Sequence, residues 1–323
     1  MHQARGLLSV GAVLLLVMVV VGCSDDPPTS PPLGSYVLVH AWGDSGSAAG
    51  QFMYPWGVAV DGGGNLYVTD AGNERIQVFS SAGAYIHQWG DSGSANGPFG
   101  FPMGIAVDAA GNVYVTDRAT RRVQKFTSDG TYVTQWGTSG TGNGQFWAPE
   151  GVAVDDSGNV YVADSEGNRV QKFTADGAYL TQWGSAGNGD GQFADPKGVA
   201  VDDSCNVYVV DSDIGGGYHH RIQKFTSTGT FLTRWGGIGR GDGQFFGPEG
   251  IAVDGGGYVY VTDVWNWRIQ KFTRTGTYVT QWPLLREGGG GSYVARGVAV
   301  DGSGYVYVTA GNIDRVQKFA PTQ

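Results

Sequence analysis

The stretch Gly57–Gly90, GVAVDGGGNLYVTDAGNERIQVFSSAGAYIHQWG, contains four short runs of β-branched and aromatic residues separated by turns rich in Gly, Asp and Asn. Such runs indicate β-strands, and the short turns between them indicate a four-stranded antiparallel meander. The Asp that follows the first run recurs at Asp61, Asp108, Asp155, Asp202, Asp254 and Asp301, with a spacing of 47 residues that rises once to 52. Six such units predict an all-β protein, a six-bladed β-propeller of four-stranded antiparallel blades.

The last unit is incomplete, because the chain ends four residues after Phe319, before a fourth run. The Trp of that run stands at Trp89, Trp136, Trp183, Trp235 and Trp282 in the other units. Counting back 47 residues from Trp89 gives Trp42, in Ser35–Gly43. We therefore predict that this N-terminal strand closes the last blade, which removes the exposed sheet edges of an open ring.

The N-terminus differs in composition from the repeats. Residues 6–22 are almost wholly apolar, and Val20–Cys23 (VVGC) resembles the bacterial lipobox, so we predict a lipoprotein signal peptide over 1–22 with lipidation of Cys23. An uncleaved membrane anchor is the alternative. The Pro-rich residues 23–34 predict a tether, and 35–323 the propeller. Ser24 favours the outer membrane or its periplasmic face in a Gram-negative organism, and the cell surface otherwise.

The composition limits the partners. The formal net charge is −9, which argues against nucleic acid, since phosphate binding needs clustered Lys and Arg. With Cys23 lipidated, Cys205 is the one remaining cysteine, so no intramolecular disulfide is expected. Cys205 stands in a turn, DDSCN, where other units have Gly, and we interpret it as a turn residue rather than a nucleophile.

The units resemble the NHL-repeat family, for example in GQFADPKGVAVDDSCNVYVVD at Gly191–Asp211. The resemblance covers residues 36–319 and implies a six-bladed propeller, which the lipobox-like VVGC predicts to be of bacterial lipoprotein type. Departures are GPFGFP in the second unit, SYVA in place of Phe-x-x-Pro in the sixth, and Ala310 where five units have Asp.

Residues present in every unit are expected to build the fold. An Asp ends the second strand of five units and an Arg begins the third strand of all six, so we expect each pair to form a charge-assisted hydrogen bond. The six Trp residues and the Phe of each GQF are expected to pack between blades. Function is then expected where the units differ.

The residue between Pro and Gly at the start of each innermost strand is predicted to face the central opening. In blade order these residues are Trp56, Met103, Glu150, Lys197, Glu249 and Arg296. Two interpretations are open: an ion-paired ring that fills the opening, or a polar ligand site with Trp56 as a stacking wall.

Two loops also differ from the rest. Trp265 and Trp267 lie in VWNWR, a loop of the fifth unit that is polar in most other units, and Phe246 precedes the first strand of the same unit. Exposed aromatic side chains commonly serve as binding surfaces. The alternative is that the two Trp side chains pack against the next blade. His219 and His220 follow an insertion, and we do not expect them to bind a metal, because adjacent histidines seldom converge on one ion.

The sequence is consistent with two functions. The first is a monomeric, envelope-anchored binding or scaffold module for a protein or glycan, with no cofactor and no catalytic residue, which uses Trp56, Glu150, Lys197, Phe246, Glu249, Trp265, Trp267 and Arg296. The second is a propeller enzyme, a lyase or lactonase-like hydrolase, active at the central opening. The residues predicted to line the opening include no His, whereas the related lyases use His there, and this favours the binding module.

Overall fold

The computed structural model describes residues 35–90, 98–212, 219–284 and 294–322. The predicted signal peptide and the tether lie outside these ranges. Within them, 24 strands form six separate four-stranded sheets, which confirms the predicted six-bladed propeller. No helix in these ranges is long and apolar enough to cross a membrane.

The first strand is β1 (Tyr36–Trp42). Blade 1 consists of β2 (Pro55–Val60), β3 (Leu66–Asp70), β4 (Arg75–Phe79) and β5 (Tyr85–Trp89). Blade 2 consists of β6 (Pro102–Val107), β7 (Val113–Asp117), β8 (Arg122–Phe126) and β9 (Tyr132–Trp136). Blade 3 consists of β10 (Pro149–Val154), β11 (Val160–Asp164), β12 (Arg169–Phe173) and β13 (Tyr179–Trp183).

Blade 4 consists of β14 (Pro196–Val201), β15 (Val207–Ser212), β16 (His220–Phe225) and β17 (Phe231–Gly236). Blade 5 consists of β18 (Pro248–Val253), β19 (Val259–Asp263), β20 (Arg268–Phe272) and β21 (Tyr278–Pro283). Blade 6 contains β22 (Ala295–Val300), β23 (Val306–Ala310) and β24 (Arg315–Pro321). Short 3-10 turns follow β3 and β19, at Ala71–Asn73 and Val264–Asn266.

The predicted closure is confirmed, because β1 is the outermost strand of blade 6. It runs antiparallel to β24, with Leu38 opposite Phe319 and Trp42 opposite Val316. The Tyr36 ring stacks on Trp282 of blade 5 at a centroid distance of 4.1 Å. The N-terminal strand therefore completes blade 6 and also packs on its neighbour.

The core lies between blades. The Trp on each outermost strand approaches a Phe of the next blade, as in the pairs Trp89–Phe126 (centroids 5.8 Å apart) and Trp136–Phe173 (5.8 Å). The turn Gly of the next blade also lies against this Trp: a Cβ on Gly130 would stand 2.7 Å from Trp89 Cδ2. The predicted interblade packing of the Trp residues is therefore present.

The innermost strands carry one irregularity in every blade. In blade 1, Pro55 pairs with Asp70 and Val58 with Val68, so that Trp56 and Gly57 together stand opposite Thr69. Such a bulge redirects a side chain. Gly57 is required here, because a Cβ would lie 2.4 Å from the carbonyl oxygen of Met103 in blade 2. The bulge thus places the residue before the Gly, Trp56 in blade 1, at the central opening. The Gly itself allows adjacent blades to approach closely.

Cys205 adopts the predicted turn conformation, with φ of 58° and its amide donating to the Asp202 carbonyl at 2.9 Å. This left-handed conformation is costly for a residue with a Cβ, which is why other units have Gly.

Candidate binding face around the central opening

One face of the propeller carries the loops between second and third strands and the loops that join blades. In blade 1, Arg75 Nε donates to Asp70 Oδ2 (2.8 Å), and the Met53 amide donates to Asp70 Oδ1 (2.7 Å). Arg75 Nη1 also donates to the Ser47 carbonyl (2.8 Å). The predicted Asp–Arg pair therefore forms, and it fixes the interblade loop as well.

The same Arg–Asp pair recurs in blades 2 to 5, at distances of 3.9, 3.1, 2.9 and 2.7 Å. In blade 6, where Ala310 replaces the Asp, Arg315 pairs instead with Asp44, which follows β1 (3.2 Å). Each blade thus has an Arg–Asp ion pair on this face, between the loops that display the variable residues.

The central opening has a cavity of about 90 Å³. Five of the six predicted side chains line it, namely Trp56, Glu150, Lys197, Glu249 and Arg296. The sixth, Met103, is buried and is not a lining residue, in keeping with its apolar side chain. A cavity of this size holds a few water molecules and is smaller than the 300 Å³ or so of ordinary ligand pockets.

The charged side chains at the opening pair with one another. Lys197 Nζ lies 3.0 Å from Glu150 Oε1 and 3.0 Å from Asp195 Oδ2. Arg296 donates to Glu249 Oε1 and stacks on Trp56, with its guanidinium carbon 4.1 Å from the ring centroid. The arrangement matches the ion-paired interpretation, and Trp56 stacks on a cation of its own chain.

Burial shapes the protonation of these groups. Glu249 is 8% exposed, and burial raises its pKa even though Arg296 and Lys197 oppose the shift. Its Oε2 has no hydrogen-bond partner within the described ranges. Burial likewise raises the pKa of Asp195 to about 6, and Lys197 only partly offsets it. Burial lowers the pKa of Lys197, but Glu150 and Asp195 outweigh it and the pKa is raised overall.

Large aromatic side chains are exposed on this face. Five of them are between 37% and 60% exposed: Tyr54, Trp147, Phe246, Trp265 and Trp267. Phe246 and Trp265 are neighbours, with ring centroids 6.4 Å apart. Trp267 has a φ of 54° and is exposed, although a bulky residue in this conformation is strained. Neither Trp is buried against the next blade, the alternative considered above.

A groove that the sequence reasoning missed lies on the same face, between blades 2 and 3. We call it the blade 2–3 groove; it has a volume of about 480 Å³. Its lining residues are Gly100, Phe101, Arg118, Ala119, Arg121, Trp147, Ala148 and Glu166. The available signal was RATRR (118–122), where blade 2 alone places two extra arginines between the second and third strands.

The described residues contain no group of three or more His, Cys, Asp or Glu side chains able to hold a metal ion. His220 is buried in blade 4 and lies edge-on to Phe246 at a centroid distance of 5.7 Å. Asp213, in the insertion before the two histidines, lies outside the described residues.

Comparison with known proteins identifies the repeat. The NHL repeat family matches residues 52–79, 99–126, 146–173 and 245–272, one match in each of blades 1, 2, 3 and 5. This chain is therefore a six-bladed β-propeller in which four blades match the NHL repeat. The B-box type zinc finger protein ncl-1 of Caenorhabditis elegans is 38% identical over 61 residues, which are 18% of this chain and 7% of that protein. The curated relatives are matched over only a small part of their own length.

Solved structures share the fold over nearly the whole chain. Virginiamycin B lyase from Staphylococcus aureus, in a catalytically inactive His-to-Ala form with quinupristin, has a TM-score of 0.60 at 15% identity, covering 88% of this chain and 99% of that one. A gluconolactonase from Xanthomonas campestris has a TM-score of 0.60 at 17% identity, covering 90% and 99%. At these identities the likeness shows the fold alone.

Proposed function

We propose that this propeller is a binding module that presents the loop face around its central opening to a protein or glycan partner at the cell envelope. The observation that carries the proposal is the set of exposed aromatic side chains on that face, above all Phe246, Trp265 and Trp267. Exposed Trp side chains favour burial in a partner, and Trp is enriched among residues that dominate binding energy.

The central opening supports this choice over catalysis. The charged groups at the opening form two ion pairs, Lys197 with Glu150 and Arg296 with Glu249. They are therefore engaged with one another rather than with a substrate. The cavity of about 90 Å³ leaves little room for one. Blade 5 alone places a large exposed aromatic side chain, Trp267, at a left-handed backbone position that recurs at Glu74, Arg121, Asn168 and Asp314.

The test uses the full-length tagged protein in intact cells, with Trp265→Ala and Trp267→Ala combined and a matched control, Leu180→Ala. Leu180 is also exposed, but it lies on the outermost strand of blade 3. After chemical crosslinking and purification, we expect the double variant to lose the species that the wild type and Leu180→Ala retain, with an unchanged melting temperature. Equal capture by all three proteins would disprove the proposal.

We further propose that lipid on Cys23 tethers the propeller to the membrane, on the outer membrane or its periplasmic face in a Gram-negative cell and on the cell surface otherwise. Support comes from the apolar run before VVGC and the Pro-rich residues after it. Labelled palmitate is expected to be incorporated into the wild type and not into Cys23→Ser. A wild type that takes up no label yet remains in the membrane pellet would instead indicate an uncleaved anchor.

A further inference from the structure

The blade 2–3 groove goes beyond the proposed function, because it lies away from the Trp265–Trp267 loop and contains a different chemistry. Phe101 and Trp147 supply aromatic surface, and Arg118 and Arg121 supply two guanidinium groups. Trp147 is 39% exposed, so part of its ring is accessible to a ligand. Aromatic surface beside cations is suited to a ligand that is both ring-shaped and negatively charged.

The fold does not need these arginines. At the position of Arg118, other blades have Ala71, Ser165, Ser212, Val264 and Gly311. At the position of Arg121 they have Glu74, Asn168, His220, Trp267 and Asp314. Arg121 also has a φ of 57°, which Asn and Gly tolerate better than Arg. Since the other five blades have no arginine at either position, the fold does not require this pair in blade 2.

The charges in the groove are only partly compensated. Arg118 Nη2 donates to Glu166 Oε1 (3.0 Å), and its Nε lies 3.6 Å from Glu150 Oε1. Arg121 lies over Trp147, 5.2 Å from the ring centroid, and bonds to the Ser139 hydroxyl. No carboxylate of the described residues forms an ion pair with Arg121. The Arg121 guanidinium is therefore a local positive charge in a chain with a formal net charge of −9.

The size of the groove selects the class of ligand. A volume of about 480 Å³ falls in the range of small-ligand sites and accommodates two or three sugar rings. A globular protein partner would instead need a patch of roughly 800 Å² on each side. A hexuronate carries its carboxylate directly on the pyranose ring, so the ring can lie on an indole while the carboxylate reaches a neighbouring guanidinium.

We propose that the blade 2–3 groove binds an acidic oligosaccharide made of hexuronate units. One ring stacks on Trp147, its carboxylate accepts hydrogen bonds from Arg121, and the next carboxylate competes with Glu166 for Arg118. Binding weakens as salt rises, because it depends on charge in a solvent-open groove.

The test is isothermal titration of the full-length protein with tetragalacturonate, with maltotetraose as the neutral probe. Arg121→Asn places in blade 2 the residue that blade 3 has at Asn168, so the backbone conformation is kept. We expect it to weaken binding about tenfold, the effect of one charge-assisted hydrogen bond. Trp147→Ala is expected to weaken it by a similar factor, and Glu166→Gln to strengthen it, because Arg118 is then released.

Four results would overturn the proposal: no binding of tetragalacturonate to the wild type, equal binding of maltotetraose, an affinity unchanged by both Arg121→Asn and Trp147→Ala, or tighter binding of an acidic peptide with the same dependence on these residues. Trp265→Ala with Trp267→Ala must leave the affinity for tetragalacturonate unchanged, which places binding in the groove. Partner capture through Trp265 and Trp267 is measured separately, so either idea can fail alone.

Discussion

Replacing Arg296 by Met tests whether the charges at the central opening form a structural ring. Glu249 is buried and accepts a hydrogen bond from Arg296, whose side chain is only 26% exposed. The next cation, Lys197, already pairs with Glu150 and Asp195. Arg296→Met therefore leaves a buried carboxylate without its partner, a change that costs about 3 to 5 kcal/mol in other proteins.

Protonation of Glu249 limits this cost. Its carboxyl has an ordinary pKa of 4.5, so neutralising it costs about 4 kcal/mol at pH 7.5 and about 0.7 kcal/mol at pH 5. Burial already raises the pKa in the folded protein, and the loss of Arg296 raises it further. The folded state then binds the proton more tightly than the unfolded state, so stability falls as pH rises from the unfolded pKa through the folded one.

Urea unfolding at the two pH values measures the effect. We expect Arg296→Met to lower the free energy of unfolding by about 3 kcal/mol at pH 7.5 and by about 1 kcal/mol at pH 5. The loss that remains at pH 5 includes the lost stacking of Arg296 on Trp56. Arg296→Lys keeps the charge and should lose less. Glu249→Gln added to Arg296→Met should recover stability at pH 7.5. A loss that is the same at both pH values would refute the reasoning.

Three further substitutions test the fold. Tyr36→Ala removes the ring that stacks on Trp282 and should cost about 3 kcal/mol or more, against about 1 kcal/mol for Tyr36→Phe; a loss below 1 kcal/mol in urea unfolding would show that β1 does not hold the ring closed. Gly57→Ala would place a Cβ 2.4 Å from the Met103 carbonyl and should lower stability by about 1 to 3 kcal/mol, so an unchanged melting temperature would contradict the close approach of blades 1 and 2. Cys205→Gly removes the Cβ that is strained at a positive φ, and the greater chain entropy of unfolded Gly offsets part of the gain. We expect the free energy of unfolding to rise by about 0.5 to 1 kcal/mol. A lower value would show that packing of the thiol stabilises the fold.

Most of the fold could be predicted because each blade repeats the same sequence pattern of four short strands and three turns. The spacing of the Asp that follows the first strand of each unit predicts the six blades. The position of Trp42 predicts the closure, since only a fourth strand at that spacing completes the last sheet. The residues between Pro and Gly could be placed at the opening from topology alone, with the exception of Met103, whose apolar side chain is buried.

The contacts between side chains could be predicted less well. The sequence leaves open that Trp56 forms a wall for a ligand. In the structure, the closed ring sets blade 6 beside blade 1, and Arg296 of blade 6 stacks on Trp56. The blade 2–3 groove was missed because its residues come from two repeats. The two extra arginines of RATRR could be seen in the sequence, but only the packing of blades 2 and 3 places them beside Trp147 in one concave surface.

The most direct test of the central claim, that the loop face recognises a partner, is site-specific photocrosslinking in intact cells. Benzoylphenylalanine would replace Trp265 on the loop face in one full-length protein and Leu180 on the outermost strand of blade 3 in another; the two native side chains are 44% and 47% exposed. Our account predicts a discrete crosslinked species from position 265 and none from position 180. Equal crosslinking from both positions, or crosslinking only from position 180, would contradict it.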